Sequence, residues 1–144
     1  SIISFSTKSL PANSVVVGGS LKVRKLGSVG PVDPFTTHGN LIADMKTGYF
    51  GTTQALEDMD FHAAATMNNI GQFNPFGAND WYRLIFTSDV FNLFDLVGDR
   101  TQFRLRFTIQ DNNDGVANYL RFSGGVNTTT NNPAVTIWFY VPHP

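Results

Sequence analysis

Along Thr101–Gln110, Phe103, Leu105, Phe107 and Ile109 alternate with Gln102, Arg104, Arg106, Thr108 and Gln110. This period-two pattern predicts a strand with one dry and one wet face. The DNNDG run that follows, Asp111 to Gly115, predicts a tight loop, because Asn, Asp and Gly tolerate left-handed backbone angles and the first two bond their own main chain. Tyr119, Leu120 and Phe122 then open a second strand. Further strands are predicted at Ile2–Phe5, Leu41–Lys46 and Ala63–Met67, and at Trp81–Phe86, where Tyr82, Leu84 and Phe86 oppose Trp81, Arg83 and Ile85. Val15, Val17, Leu21 and Val23 share one parity against Lys22 and Arg24, with Gly18 and Gly19 marking a bulge between them. In the last strand, Ala134–Val141, the residues Val135, Ile137, Phe139 and Val141 face one way and Thr136, Trp138 and Tyr140 the other.

Breakers predict irregular loops at Lys25–Asn40, which carries Gly27, Gly30, Pro31, Pro34 and Gly39, and at Asn68–Asp80. Leu56–Phe61 has room for one helical turn, and the Asn- and Thr-rich Asn127–Pro133 reads as a hairpin. The one helix expected is Thr87–Asp99: Thr87 or Ser88 caps it, Asp89 complements its first turn, Val90, Phe91, Phe94 and Val97 form an apolar stripe, and Gly98 stops it. Many short strands between Gly, Pro and Asn turns make the fold class all-β, an antiparallel jelly-roll-type β-sandwich with one short helix, in a single domain over residues 1–144.

Composition narrows the function. Only 15% of residues are charged and Glu57 is the sole glutamate, so long charged helices are poorly supplied. A net charge of -1 argues against a sequence-independent nucleic-acid surface. Without cysteine there is no disulfide, thiolate metal site or thiol nucleophile. No run approaches the ~18 consecutive apolar residues that a spanning helix requires, so no membrane span is expected. The start at Ser1, without Met, reads as a processed or excised terminus.

Candidate chemistry is sparse, and the chain is expected not to be an enzyme. His38, His62 and His143 stand in no metal-binding spacing. The cluster Glu57, Asp58 and Asp60 contains either a pair of working acids or the polar residues of a solvated loop. Asp111, Asn113 and Asp114, with Asn112, offer the hard oxygens of a structural Ca2+ site, although their spacing fails the helical calcium loop; the alternative is a turn held by Asx side-chain bonds. Trp138, Tyr140 and Trp81 fall on outer parities. There they stack sugar rings, meet another subunit, or lie under a loop or helix of the same domain. Arg104 and Arg106 are placed on the wet face of their strand, as solvated residues or as an anion- or uronate-binding row. Asn127-Thr128-Thr129 matches a glycosylation sequon.

The order Ile2-Ile3-Ser4-Phe5, Leu10-Pro11, Leu21-Lys22-Val23, Met45 to Gly51, Thr101 to Phe107, Asp111-Asn112-Asn113, Asn118-Tyr119-Leu120 and Pro133 to Pro142 resembles the DNRLRE-type domain of bacterial secreted and surface proteins. The TQFRLRF to NYLRFSGG segment is the most specific part. The resemblance implies an extracellular, non-catalytic β-sandwich, sometimes serving polysaccharide-degrading enzymes as a carbohydrate-binding module. Such domains begin upstream of the segment matched by Ser1–Phe5, with at least one more strand. A sandwich lacking that strand is expected to have an open groove or edge, closed when a neighbour donates a strand; proteolysis or an incomplete sequence are the alternatives. The function expected is structural or adhesive, at the cell surface or outside the cell. The expected partners are copies of the chain or other surface-protein segments, with polysaccharide binding as the second reading.

Overall fold

The computed structural model describes residues 1–125 and 130–143; the sequon at Asn127-Thr128-Thr129 and part of the Asn127–Pro133 hairpin lie outside the described residues. Among the described residues, nine strands build an all-β antiparallel sandwich. They are β1 (Ile2–Ser6), β2 (Val15–Val29), β3 (Leu41–Thr47), β4 (Met67–Gln72), β5 (Asn74–Pro75), β6 (Trp81–Ile85), β7 (Arg100–Phe107), β8 (Tyr119–Phe122) and β9 (Ala134–Tyr140). One sheet has the order β1-β7-β3-β4, the other β5-β6-β2-β8, with β9 also paired to β2. Neighbours are mostly distant in sequence, as the long crossovers of a jelly-roll-type sandwich require.

Strand β2 organises the second sheet. Its 15 residues pair with β9 over Val15–Lys22, with β6 over Ser20–Arg24 and with β8 over Lys25–Val29. The region from Lys25 to Val29, expected as loop because of its glycine, is therefore strand: Gly27 sits at a register shift that lets the strand bend without ending. A second shift falls between Val16 and Gly18. It swaps the parity of the strand, so that Val16, Leu21 and Val23 are buried while Val15 and Val17 are exposed, where the alternation had put Val15 and Val17 on the side of Leu21.

Between the sheets the core is aromatic and aliphatic. Phe103 makes an edge-on contact with Phe5, stacks on Phe86 at 5.7 Å and meets Phe94 at 6.4 Å, with Leu21, Met45, Leu84 and Leu105 around it. Phe35 stacks on Tyr82 at 5.4 Å at the other end of the core.

The expected helix is not where the stripe put it. The only α-helical turn among the described residues is Pro34–Thr37, capped by Asp33, and the segment after β6 makes a 3-10 turn, Ser88–Leu93. Val90 and Phe94 are buried as the stripe requires, but Val97 is 86% exposed. Neighbouring strands take the groups a helix would use. Thr47 Oγ1 donates to the Leu93 carbonyl, Thr7 Oγ1 donates to the Asp95 carbonyl, and the Asp95 N–H donates to Thr101 Oγ1. The Asp95 carboxylate then accepts from the N–H groups of Val97 and Gly98, closing an Asx turn.

The strands expected on either side of DNNDG are both present, but β7 and β8 belong to different sheets. The loop between them arches across the sandwich instead of closing a hairpin. Because Phe103 is fully buried between the two sheets, Phe103→Ala is expected to cost about 3–5 kcal/mol, measured as the shift of a urea unfolding curve.

Candidate functional site

Three places in the fold bring chemistry-bearing residues together. The first is on the outer side of the first sheet. Gln102, Arg104 and Arg106 do share one face of β7, but that face is dry: Gln102 is fully buried and Arg104 is 7% exposed. The segment that follows β3 lies over it. Phe50 N–H donates to Gln102 Oε1 at 2.7 Å, and Arg104 Nη1 donates to the carbonyls of Phe61 and Ala63 at 2.8 and 2.7 Å. The guanidinium also lies 4.7 Å from the Phe50 ring centre. This corrects the expected wet row, since arginine and glutamine can line a covered face once their donors and acceptors are matched.

The match is made by Asp44, which stands opposite Arg104 across the β3–β7 ladder and one step from Arg106. Arg106 grips it with two bonds, Nε to Oδ2 at 2.8 Å and Nη2 to Oδ1 at 2.9 Å, and Arg104 Nε adds a third at 2.8 Å. The Asn69 N–H donates to Oδ1 as well. Burial alone pushes the Asp44 carboxyl up, but the bonds from Arg106, Asn69 and Arg104 and the charge of Arg106 outweigh it and hold the group below the usual carboxylate range. Arg106 is raised in turn, chiefly by its bond to Asp44. One carboxylate thus serves two guanidiniums, and the cluster carries a surplus positive charge. Arg104 spends Nε, Nη1 and Nη2 on the protein; Nη1 of Arg106 has no partner among the described residues.

The second place is the open side of the sandwich, where β1 and β8 form the facing edges of the two sheets. Ser1 and Leu105 exchange main-chain bonds, and the Thr7 N–H donates to Asp99. In an antiparallel ladder the odd residues of β1 therefore turn to β7, and the N–H and C=O groups of Ile2, Ser4 and Ser6 point away from it. They have no main-chain partner among the described residues. The groove between the edges holds about 370 Å³ where Ile2, Ile3, Leu120, Phe122 and Pro133 line it. It continues, past Ser1, Leu120 and Phe122, into about 170 Å³ over Leu41, Leu105 and Phe107. Beyond Phe107 and Tyr119 it meets a pocket of about 210 Å³ bounded by His38, Phe61, Arg106, Gln110 and Asn118.

The third place is the outer face of the second sheet. Trp138 and Tyr140 are 60% and 54% exposed beside Val15, Val17 and Ile85, uncovered by any described loop or helix. Trp138 packs on Gly18, its partner in the ladder; a Cβ there would lie 2.6 Å from Cε3 of the indole. Trp81 shares the face but stands opposite Arg24, six residues further along β2, about 20 Å away at ~3.3 Å per residue. Lys22 Nζ sits 4.8 Å over its ring. The five residues singled out in the sequence therefore divide into an aromatic pair, a separate Trp81 and an arginine pair on the opposite sheet.

In the DNND loop, Asp111 Oδ1 accepts from the Asn113 N–H and Asp114 Oδ1 from the Val116 N–H, both at 2.8 Å. The Val116 N–H, followed by the Asn112 amide, holds the Asp114 carboxyl below its ordinary range. These are Asx turns; among the described residues no three His, Cys, Asp or Glu side chains gather into a group that could hold a metal ion. Asp60 is buried and accepts from the Glu57 N–H at the head of the 3-10 turn Asp58–His62, so it braces the loop that covers β7. Phe61 and Asp44 were not singled out by sequence, and His38 was weighed there as a metal ligand or catalytic base and set aside; a lone carboxylate in the apolar run LIADM was the available signal for Asp44.

Compared with protein-family models, curated proteins and solved structures, the chain matches none. Among the described residues no helix is long and apolar enough to cross a membrane.

A carboxyl depressed in the folded state stabilises it above the unfolded value of about 3.9, and the contribution is lost as pH falls through the lower folded value. Urea unfolding followed from pH 5 to pH 2 is expected to show this loss at the acid end. Asp44→Asn, which leaves the buried Arg104 and the half-buried Arg106 sharing an uncharged amide, is expected to cost about 3 kcal/mol at pH 7 and to flatten that acid dependence.

Proposed function

We propose that this chain is a non-catalytic structural or adhesive β-sandwich, working outside the cell or at its surface, that assembles with copies of itself by taking a strand into the groove between β1 and β8. The observation that carries the reading is the pair of facing edges. One presents main-chain groups of Ile2, Ser4 and Ser6 that have no main-chain partner among the described residues, and apolar side chains line the space between the two. An edge of this kind is a template for a further strand, and folds that keep one usually blunt it with charge or proline. In β1 neither is present. Contacts between a donated strand and a groove are head-to-tail, so they propagate instead of closing. The sequence resemblance to domains of secreted and surface proteins points the same way.

The test is Ser4→Pro. Its N–H faces away from β7, so proline removes no bond of the monomer's ladder, though it takes away the hydroxyl that accepts from Arg100 and Gln102, and it deprives an incoming strand of a donor. Light scattering and negative-stain microscopy are expected to show regular assemblies of the unaltered protein and their loss in the variant, with the circular dichroism spectrum unchanged. A monodisperse 15.9 kDa monomer at all concentrations for the unaltered protein would remove this reading.

A second reading, attachment to polysaccharide, is favoured by the uncovered Trp138 and Tyr140 beside Gly18. Affinity electrophoresis in gels containing neutral polysaccharides tests it. Retardation of the unaltered protein that disappears in Trp138→Ala is expected if the pair stacks sugar rings, and equal mobility in every gel would end it.

A further inference from the structure

The groove does not end in apolar surface. Its last section, lined by Arg106, Phe107 and Tyr119, is shared with the pocket bounded by His38, Phe61, Gln110 and Asn118. Arg106 is a cation shared by both, and the Ser1 ammonium, bonded to the Leu105 carbonyl, lines the groove section beside it. Two of its nitrogens are fixed on Asp44 while Nη1 has no partner among the described residues, and the cluster of one carboxylate and two guanidiniums leaves one positive charge uncompensated. A guanidinium already locked by a bidentate pair loses little further freedom when it binds a second anion.

The neighbouring groups suit the same guest. The Asn118 Oδ1 accepts from the Val32 N–H, which turns its NH2 group to other use. Phe61, Phe107 and Tyr119 supply apolar walls that keep the site partly dry, and low polarity strengthens a charge pair.

We infer that the strand received by the groove carries a carboxylate at the end that reaches Arg106, with apolar side chains at alternate positions along the rest. This rests on the strand-accepting reading above and specifies the occupant: a β-strand closed by an Asp, a Glu or a terminal carboxylate. Ser1 pairs with Leu105, the residue before Arg106, so Arg106 lies off the N-terminal end of β1. A strand antiparallel to β1 brings the acid last, and a parallel one brings it first.

The inference is tested on the unaltered protein by changing the ligand. Synthetic eight-residue peptides alternating Val and Thr, acetylated and amidated so that a side chain supplies the single carboxylate, are prepared with Glu at the first or the last position, each with a Gln twin, and titrated by isothermal calorimetry at low salt. One Glu peptide is expected to bind at least tenfold more tightly than its Gln twin, with the advantage shrinking at 1 M NaCl, and the preferred end gives the strand direction. Equal binding of Glu and Gln peptides would overturn the acidic anchor while leaving the strand-accepting groove in place. No binding by any of the four would overturn both. Addition of free glucuronate that binds without displacing the Glu peptide would also count against the anchor, since the carboxylate site would then lie elsewhere. Gln110→Ala together with Asn118→Ala, which leaves the Asp44 cluster intact, is expected to weaken the Glu peptide severalfold and the Gln peptide little.

Discussion

The carboxylate of Asp44 ties the molecule together. It sits on the central pair of the first sheet, opposite Arg104, and the two guanidiniums it holds fix the loop that covers that sheet, through the carbonyls of Phe61 and Ala63, and the cation at the end of the groove. A buried pair of this kind gains little over an apolar core of the same shape, yet the loss of one partner strands the others in a dry setting. The cluster therefore acts as a specification: it selects one register of β3 against β7 and one path for the covering loop, because a slip of one residue would turn Asp44 into the apolar core and leave both arginines unpaired.

This arrangement also explains which parts of the fold were legible in the sequence. Alternation in TQFRLRF located β7 and its apolar face correctly, since Phe103 and Leu105 are buried between the sheets. The other face misled because polarity was equated with water. Gln102 and Arg104 are polar and buried, and their partners come from residues 44 to 68, a coupling that no local pattern contains. The helix expected at Thr87–Asp99 failed for a related reason: its stripe was real at Val90 and Phe94, but threonines on three other strands or loops claimed the backbone groups that a helical ladder needs.

Site residues divide in the same way. Trp138 and Tyr140 were legible as outward-facing from the alternation in β9, although Phe139 and Val141, expected on the opposite face, are exposed too, and Gly18 beneath the indole explains the glycine in a run otherwise rich in valine. Asp44, His38 and Phe61 carried no such mark. The groove itself is a property of topology, formed where β1 and β8 end their respective sheets side by side without pairing, and only the whole strand order reveals it.

That strand order sets the sequence of events by which the molecule forms. Ile3 pairs with Phe103, so β1 waits for a strand about a hundred residues later, and loop closure of that length is slow compared with the pairing of β3 and β4 across the shorter covering segment between them. Until β7 arrives, β1 is an unpaired apolar segment with both edges open. The time for which both edges of β1 stay exposed is therefore set by how fast the long loop between β1 and β7 closes, and a change that slows that closure lengthens the most vulnerable stage of folding.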